Sequence, residues 1–406
     1  MSNCSRRNFI KGAMLVGTAS LLGCNENSDA KIFEPPAATV PPNTLAEKVP
    51  GAVLGKTGVK VPILVNGGAY QYNSVMVGRS YELGLTYFDT ADCYAGGQSE
   101  ISLGRILEKQ GWRKDVWITS KDHPRQPSDM LTTIDKRLEN LRTDYLDLYF
   151  IHQLGDGEYP KECVDWPKGK ELKEVAETLK KQKKIKFFGF SCHAGILPQA
   201  LENAAEGGFV DVIMFRYNFR EQSDVLNRAI DKAKKANIGL IAMKTQGGKV
   251  LNDNKLEEFK SKGFNMFQST LKAVWSDTRI DTICSHMPSV QIIQENAVAA
   301  VQNKISALER KMLEEYAAET NHLICRGCDH ICSPHATESV RIGDTLRYLM
   351  YHENYGEHEM ARDLFANLSR EARASILNTD FTAAEAACPY NVKIGEMMAR
   401  AAKKLA

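Results

Sequence analysis

Beyond residue 50 the chain alternates short apolar, β-branched runs with longer stretches in which apolar residues recur at helical spacing. The apolar runs cover residues 61–65, 85–89, 116–120, 146–151, 186–190, 212–215, 240–243 and 282–285. Each is followed by polar or Gly-rich residues and then a helix candidate, such as 130–141 or 172–181. Strands that read as continuous apolar runs are covered on both faces, and eight strand–helix repeats of this kind predict a closed parallel (β/α)8 barrel, the TIM-barrel form of the α/β class. An open doubly wound sheet is the alternative. Its Gly-x-Gly-x-x-Gly turn is missing after the first run.

The repeats occupy about residues 51–305, and the two flanks differ from them. Ser5-Arg6-Arg7-Asn8-Phe9-Ile10-Lys11 precedes an apolar stretch at 12–23 that ends in Leu21-Leu22-Gly23-Cys24. A twin arginine before a short apolar core is a bacterial export (Tat) signal, and Leu-Leu-Gly-Cys resembles the box at which a lipoprotein is cleaved and acylated on its cysteine. The stretch is shorter than the roughly 20 apolar residues a membrane span needs. Residues 1–24 are therefore expected to direct twin-arginine export, leaving a periplasmic or cell-surface lipoprotein that meets the membrane only through a lipid on Cys24. Residues 25–50 carry Pro35-Pro36 and Pro41-Pro42 and few large apolar side chains, as an extended tether without a packing role would. Such a signal exports folded proteins, often with a cofactor already inserted, so it predicts a cofactor.

Composition narrows the function. The 406 residues are 43% hydrophobic and 25% charged with a formal net charge of +2, enough to bury a large core. No basic patch interleaved with aromatics appears, which argues against nucleic acid as a partner. A small-molecule substrate fits better.

In a barrel, chemistry gathers where the strands end. Asp89 and Tyr94 follow the second run, Lys121 the third and His152 the fourth. Singly, a tyrosine is a packed aromatic, a lysine a solvated charge and a histidine a core residue. Together they make a set of four titratable types at consecutive strand ends. In Phe88-Asp89-Thr90-Ala91-Asp92-Cys93-Tyr94, Thr119-Ser120-Lys121 and Tyr149-Phe150-Ile151-His152, with Leu54-Gly55-Lys56-Thr57-Gly58 ahead of them, the chain resembles the aldo-keto reductases over about residues 51–300. The resemblance implies that Asp89, Tyr94, Lys121 and His152 interconvert a carbonyl and an alcohol. Such chemistry has to stabilise a developing alkoxide and then protonate it. Tyr94 can do both if its hydroxyl, ordinarily near pKa 10, is pulled down by the Lys121 ammonium, which Asp89 keeps charged. His152 would orient the substrate oxygen.

The same resemblance implies a nicotinamide dinucleotide, NADP or NAD. Ser191 and Tyr217 are expected near the nicotinamide and Asn296 at the adenosine. Cys192 and Met214 stand where asparagine and glutamine are usual, and the arginine that clamps a 2′-phosphate is missing. Lys244-Thr245-Gln246-Gly247-Gly248-Lys249 is suited to phosphate through Lys244 and the Gly247 amide. A solvated turn explains it equally well.

Residues 306–406 carry a second constellation. Cys325, Cys328 and Cys332 form C-x2-C-x3-C, and Cys388 followed by Pro389 comes after 55 intervening residues, beyond a helical insertion at 338–379. Four thiolates with a distant Cys-Pro are the ligands of a ferredoxin-type [4Fe–4S] cluster. The spacing departs from the compact ferredoxin pattern, and zinc, with His330 or His335 available, or disulfides stay open. A subset of barrel reductases carries such a small, mainly helical C-terminal iron–sulfur domain, and this chain looks like one of them. Cys93, Cys163, Cys192 and Cys284 read as small buried thiols, Cys93 adjoining Tyr94. His123 and His193 follow strands, as residues of the mouth or of the polar surface.

These features predict an exported oxidoreductase for a small, sugar-like or similar substrate, with Tyr94 as acid and base. The cluster either passes electrons to a partner protein or staples the C-terminal domain. The competing expectation is a surface lipoprotein that keeps the barrel to bind small ligands without turning them over.

Overall fold

The computed structural model describes residues 47–156, 159–220, 223–248, 253–337 and 339–406. Two short strands, β1 (Gly51–Val53) and β2 (Lys60–Pro62), pair antiparallel. Eight parallel strands follow: β3 (Leu64–Gly67), β4 (Tyr87–Asp89), β5 (Trp117–Asp122), β6 (Leu146–Ile151), β7 (Ile185–Cys192), β8 (Val212–Arg216), β9 (Gly239–Met243) and β10 (Thr282–His286). They close into a barrel in chain order, β10 pairing with β3.

The first apolar run, 61–65, is two elements rather than one. Pro62 has no N–H to extend a ladder, and the Ile63 N–H turns to the Pro50 carbonyl at 2.9 Å. The chain changes partners there, leaving the hairpin for the barrel. Leu54, at the hairpin's turn, is wholly buried with Val65, Tyr87, Leu148, Phe150, Val212, Met214 and Ile241 inside the barrel. Burying such a side chain contributes roughly 2–3 kcal/mol. A Cβ on Gly239 would fall 2.8 Å from Leu54 Cγ, so this seat requires glycine.

The expected tether packs at its end. Val49 is buried, and its N–H donates to the Leu83 carbonyl at 2.9 Å. The twin arginine, Cys24 and most of the tether lie outside the described residues.

Alternation along the strands sorts inside from outside. Phe88, Ile118, Tyr149, Ile151, Phe188 and Phe190 pack outward against the helices. Their neighbours Asp89, Lys121, His152 and Ser191 therefore point into the barrel at its C-terminal end.

After β10, the helix Ala307–Thr320 opens on a capping box in which Ser306 and Glu309 bond each other's backbone N–H groups at 3.1 and 2.9 Å. Its Met312, Leu313 and Tyr316 pack with Phe259 and Met266 beside the barrel. The helices Ile342–Asn354, His358–Ala366, Arg370–Ser375 and Ile394–Leu405 then gather their own core, including Ile342, Leu349, Phe365, Met398 and Leu405. Barrel and C-terminal helices belong to one compact unit, Thr44–Ala406. Among the described residues no helix is long and apolar enough to cross a membrane.

Candidate active site

Inward-facing positions on three adjacent strands bring the expected quartet together. Lys121 Nζ lies 2.7 Å from Asp89 Oδ2, donates to the Thr90 carbonyl at 2.8 Å and stands 3.5 Å from Tyr94 Oη. Both members of the Lys121–Asp89 pair are about 1–2% exposed. Tyr94 begins a tight turn in which Ala95, Gly96 and Gly97 all take positive φ, at 49°, 61° and 85°. That turn leaves the phenol over the barrel, edge-on to the His152 ring at 5.3 Å.

The electrostatics differ from the sequence expectation in one respect. Burial, then the Asp89 carboxylate, holds the Tyr94 hydroxyl well above its ordinary value, not below it. Lys121 Nζ lies closer to Asp89 and Thr90 than to the Tyr94 hydroxyl. Burial also raises Asp89, against the attraction of Lys121. His152 is pushed well below the usual imidazole range by burial and by His123 and Lys121. The site thus holds a protonated phenol beside a neutral imidazole, a state able to give a proton rather than take one.

A further group that strand-end reading only touched surrounds His152. Asp92 Oδ1 lies 3.4 Å from His123 Nδ1 and 4.0 Å from His152 Nδ1, and Cys93 Sγ is 3.7 Å from His152 Nδ1. Burial would raise Asp92, but the two imidazoles hold it far below the carboxylate range.

The residues expected at a nucleotide divide into two groups. Lys244 and Gly247 line a cavity of about 560 Å³ at the mouth, with His193, Arg216 and Asn218 from the barrel and Arg326, Arg347 and Tyr355 from beyond it. Ser191 sits inside the barrel, its Oγ accepting from Gln153 N–H at 2.9 Å. Tyr217 and Asn296 do not join them. Phe215 and Tyr217 share the outer parity of β8, and the Tyr217 hydroxyl bonds Asp277 Oδ2 at 2.5 Å. Asn296 is buried and donates to Ser285 Oγ at 3.2 Å. Arg216, one residue from Tyr217, takes the inward place; alternation along the strand was the signal for it.

Helix Ile342–Asn354 lies across this mouth. Arg347 Nη2 reaches Asp156 Oδ2, after β6, at 3.2 Å, and Asp156 stands 2.8 Å from His193 Nδ1. Lys244 Nζ lies 4.3 Å from the centre of the Tyr351 ring. Asp329 is wedged against Gly195, where a Cβ would come within 1.6 Å of its Oδ1.

All four expected C-terminal cysteines line one cavity of about 320 Å³. Cys325, Cys328, Cys332 and Cys388 share it with Ile331, Ile342, Val392 and Ile394. Burial pushes the Cys325 and Cys332 thiols up to about 12. Cys325 and Arg326 also line the mouth cavity, so two residues are common to both walls.

The model of the aldo/keto reductase family matches residues 66–285. An L-galactose dehydrogenase of Arabidopsis thaliana is 24% identical over 308 residues, 67% of this chain and 94% of that protein. A methylglyoxal reductase of Escherichia coli is 41% identical over 76 residues, 18% of this chain and 26% of that protein. An aldo-keto reductase from Klebsiella pneumoniae, solved in complex with NADPH, superposes with a TM-score of 0.54 at 22% identity, covering 66% of this chain and 95% of that one.

Proposed function

Because the chain belongs to the aldo/keto reductase family, we propose that its barrel mouth interconverts a carbonyl and an alcohol on a small substrate, with Tyr94 as the acid. The observation that carries this is the buried Lys121 Nζ, 2.7 Å from Asp89 and 3.5 Å from Tyr94 Oη. A nicotinamide dinucleotide, when bound, supplies the hydride. The donor set of the mouth fits its pyrophosphate, with Arg216, Lys244 and the left-handed Gly247 on one wall.

As charge grows on the substrate oxygen, Tyr94 transfers its proton to it. Lys121 then stabilises the phenolate that remains, at 3.5 Å, while Asp89 keeps the ammonium charged. Neutral His152 offers a hydrogen bond that fixes the oxygen's position. A small sugar-like or dicarbonyl substrate agrees with the names of the two curated relatives.

Cys325, Cys328, Cys332 and Cys388 would hold a [4Fe–4S] cluster, for which four thiols around one apolar cavity are a fitting donor set. When bound, the cluster supplies one-electron chemistry. The wall shared through Cys325 supports a relay between the mouth and an electron-transfer partner. Export and a lipid on Cys24 complete the proposal, supported by the twin arginine and the Leu21-Leu22-Gly23-Cys24 box.

The test is Tyr94→Phe in protein purified without oxygen. Turnover is expected to fall by about 10³-fold, within the range of a lost general acid. Affinity for the nucleotide should stay within about 2-fold, since the ring is retained. A variant that keeps a tenth of the wild-type rate removes Tyr94 from the mechanism.

A further inference from the structure

We propose that Asp92, Cys93, His123 and His152 form a site for a thiophilic divalent cation such as Zn²⁺ at the rim of the barrel, separate from the four-cysteine cavity. Among the described residues these four place their ligating atoms within 4.8 Å of one another. The turn after β4 brings Asp92 and Cys93, while His123 and His152 stand just past the ends of β5 and β6. Three neighbouring strands therefore aim four donors at one point.

The spacing identifies the occupant. Asp92 Oδ1 to His123 Nδ1 is 3.4 Å, Cys93 Sγ to His152 Nδ1 is 3.7 Å and Asp92 Oδ1 to His152 Nδ1 is 4.0 Å. These are long for hydrogen bonds between the groups concerned. Nitrogen, oxygen and sulfur ligands about 2.0–2.3 Å from one tetrahedral ion stand roughly 3.3–3.7 Å apart. The observed separations match that tetrahedron with small adjustments. Two imidazoles, a thiol and a carboxylate select zinc and its neighbours; calcium and magnesium take all-oxygen sets.

The surroundings support the donors. The Cys93 N–H donates to Asp92 Oδ1 at 2.7 Å and Arg137 Nη1 lies 3.9 Å from Asp92 Oδ2, so the carboxylate is oriented from behind. Cys93 and His123 are exposed, which opens the site to an ion from solvent. An ion on His152 Nδ1 leaves the ring proton on Nε2 and fixes the ring that stands edge-on to Tyr94. The site stands on geometry alone. Only its effect on turnover rests on the carbonyl–alcohol reading.

Cobalt tests the site without relying on activity. Full-length protein, with its cysteine cavity loaded and adventitious metal removed, is titrated with Co²⁺ and followed by difference absorption. Tetrahedral d–d bands and a thiolate-to-cobalt band saturating at one equivalent are expected. Cys93→Ser should abolish the thiolate band, and Cys93→Ser or His123→Ala should each weaken binding by roughly 100-fold. Both side chains are exposed, so these variants keep the fold, while Cys163→Ser should titrate like the wild type. A wild-type protein without the tetrahedral bands, or both variants binding as the wild type does, overturns the proposal. Zn²⁺ then reports separately on catalysis: the Co²⁺ spectrum decides the site, whereas the response of turnover depends on His152 acting there.

Discussion

The barrel mouth and the cysteine cavity meet at Cys325, yet they are stabilised in opposite ways. At the mouth three buried cations meet carboxylates within the protein: Lys121 with Asp89 at 2.7 Å, Arg137 with Asp122 at 3.0 Å and Arg347 with Asp156 at 3.2 Å. Around the cysteines the polar contacts are weak ones, the Gly327 N–H to Cys325 Sγ at 3.3 Å and Cys332 Sγ to the Asp329 carbonyl at 3.9 Å, set among isoleucine and valine. A site that neutralises its own charges is preorganised before any ligand arrives. A pocket of four thiols gains most of its energy from what it holds.

On the proposal that the four thiols hold a [4Fe–4S] cluster, the largest effect should follow from emptying that pocket. Metal bound to structural thiolates contributes on the order of 10 kcal/mol to folding. Cys388→Ser is therefore expected to cost several kcal/mol and to leave residues 329–405 open to amide exchange, while the strands around Lys121 stay protected. Protection lost equally from both regions breaks the comparison, because the two would then fold as one cooperative element.

Next comes the mouth's own pairing. Lys121→Met strands the Asp89 carboxylate in a buried site, which costs about 3–5 kcal/mol. Removing both charges, as in Lys121→Met with Asp89→Leu, should recover most of that loss in urea unfolding. A double variant no better than the single one means that Lys121 contributes through its contacts with Thr90 and Tyr94 instead.

Arg347 joins the two regions and should show an intermediate effect. In the wild type burial raises the Asp156 carboxyl to about 6 against the attraction of Arg347, so Arg347→Met raises it further. Taking up a proton relieves the stranded charge, so the expected cost is roughly 2–3 kcal/mol near pH 8. Below pH 6 the loss should shrink, since the stranded group is then neutral. An equal loss at both pH values would assign Arg347 a packing role against the Tyr348 ring, 5.3 Å from its guanidinium centre.

The barrel was readable in the sequence as eight continuous apolar runs each followed by a helix candidate, and the quartet as titratable residues at consecutive strand ends that carry the family resemblance. Asp89, Lys121 and His152 share the parity that points inward, and no long-range information is needed to see it. The same parity turns Tyr217 outward and Arg216 inward, which a motif-based reading passes over. Asn296 fell elsewhere because a partner eleven residues away, Ser285, takes its amide. The four cysteines were found by ligand type and spacing. That helix Ile342–Asn354 covers the mouth was not readable, since it depends on Arg347 meeting Asp156, 191 positions apart in the chain. The raised Tyr94 hydroxyl has a similar origin: its burial, with the Asp89 carboxylate nearby, depends on packing that the motif does not carry.

A pH-dependent effect of similar size sharpens the comparison most, because it asks whether self-neutralisation extends to the rest of the barrel. Glu100, on helix Gln98–Gln110, is wholly buried and accepts from Ser120 Oγ at 2.5 Å and Asn140 Nδ2 at 2.8 Å, with Arg137 Nε 3.3 Å away. Burial pushes its carboxyl up to about 7, only partly offset by Arg137. The folded protein therefore binds more protons than the unfolded chain between the ordinary value of 4.5 and about 7. Stability falls as pH rises through that window and levels off above it, by roughly 2–4 kcal/mol for a shift of this size. Glu100→Gln keeps the hydrogen bonds to Ser120 and Asn140 but cannot ionise, so its stability should stay flat from pH 5 to 8 relative to the wild type. Parallel curves for the two proteins would mean that Arg137 offsets the buried charge in full, extending to the outer wall of the barrel the ion pairing of Lys121 with Asp89 at its mouth.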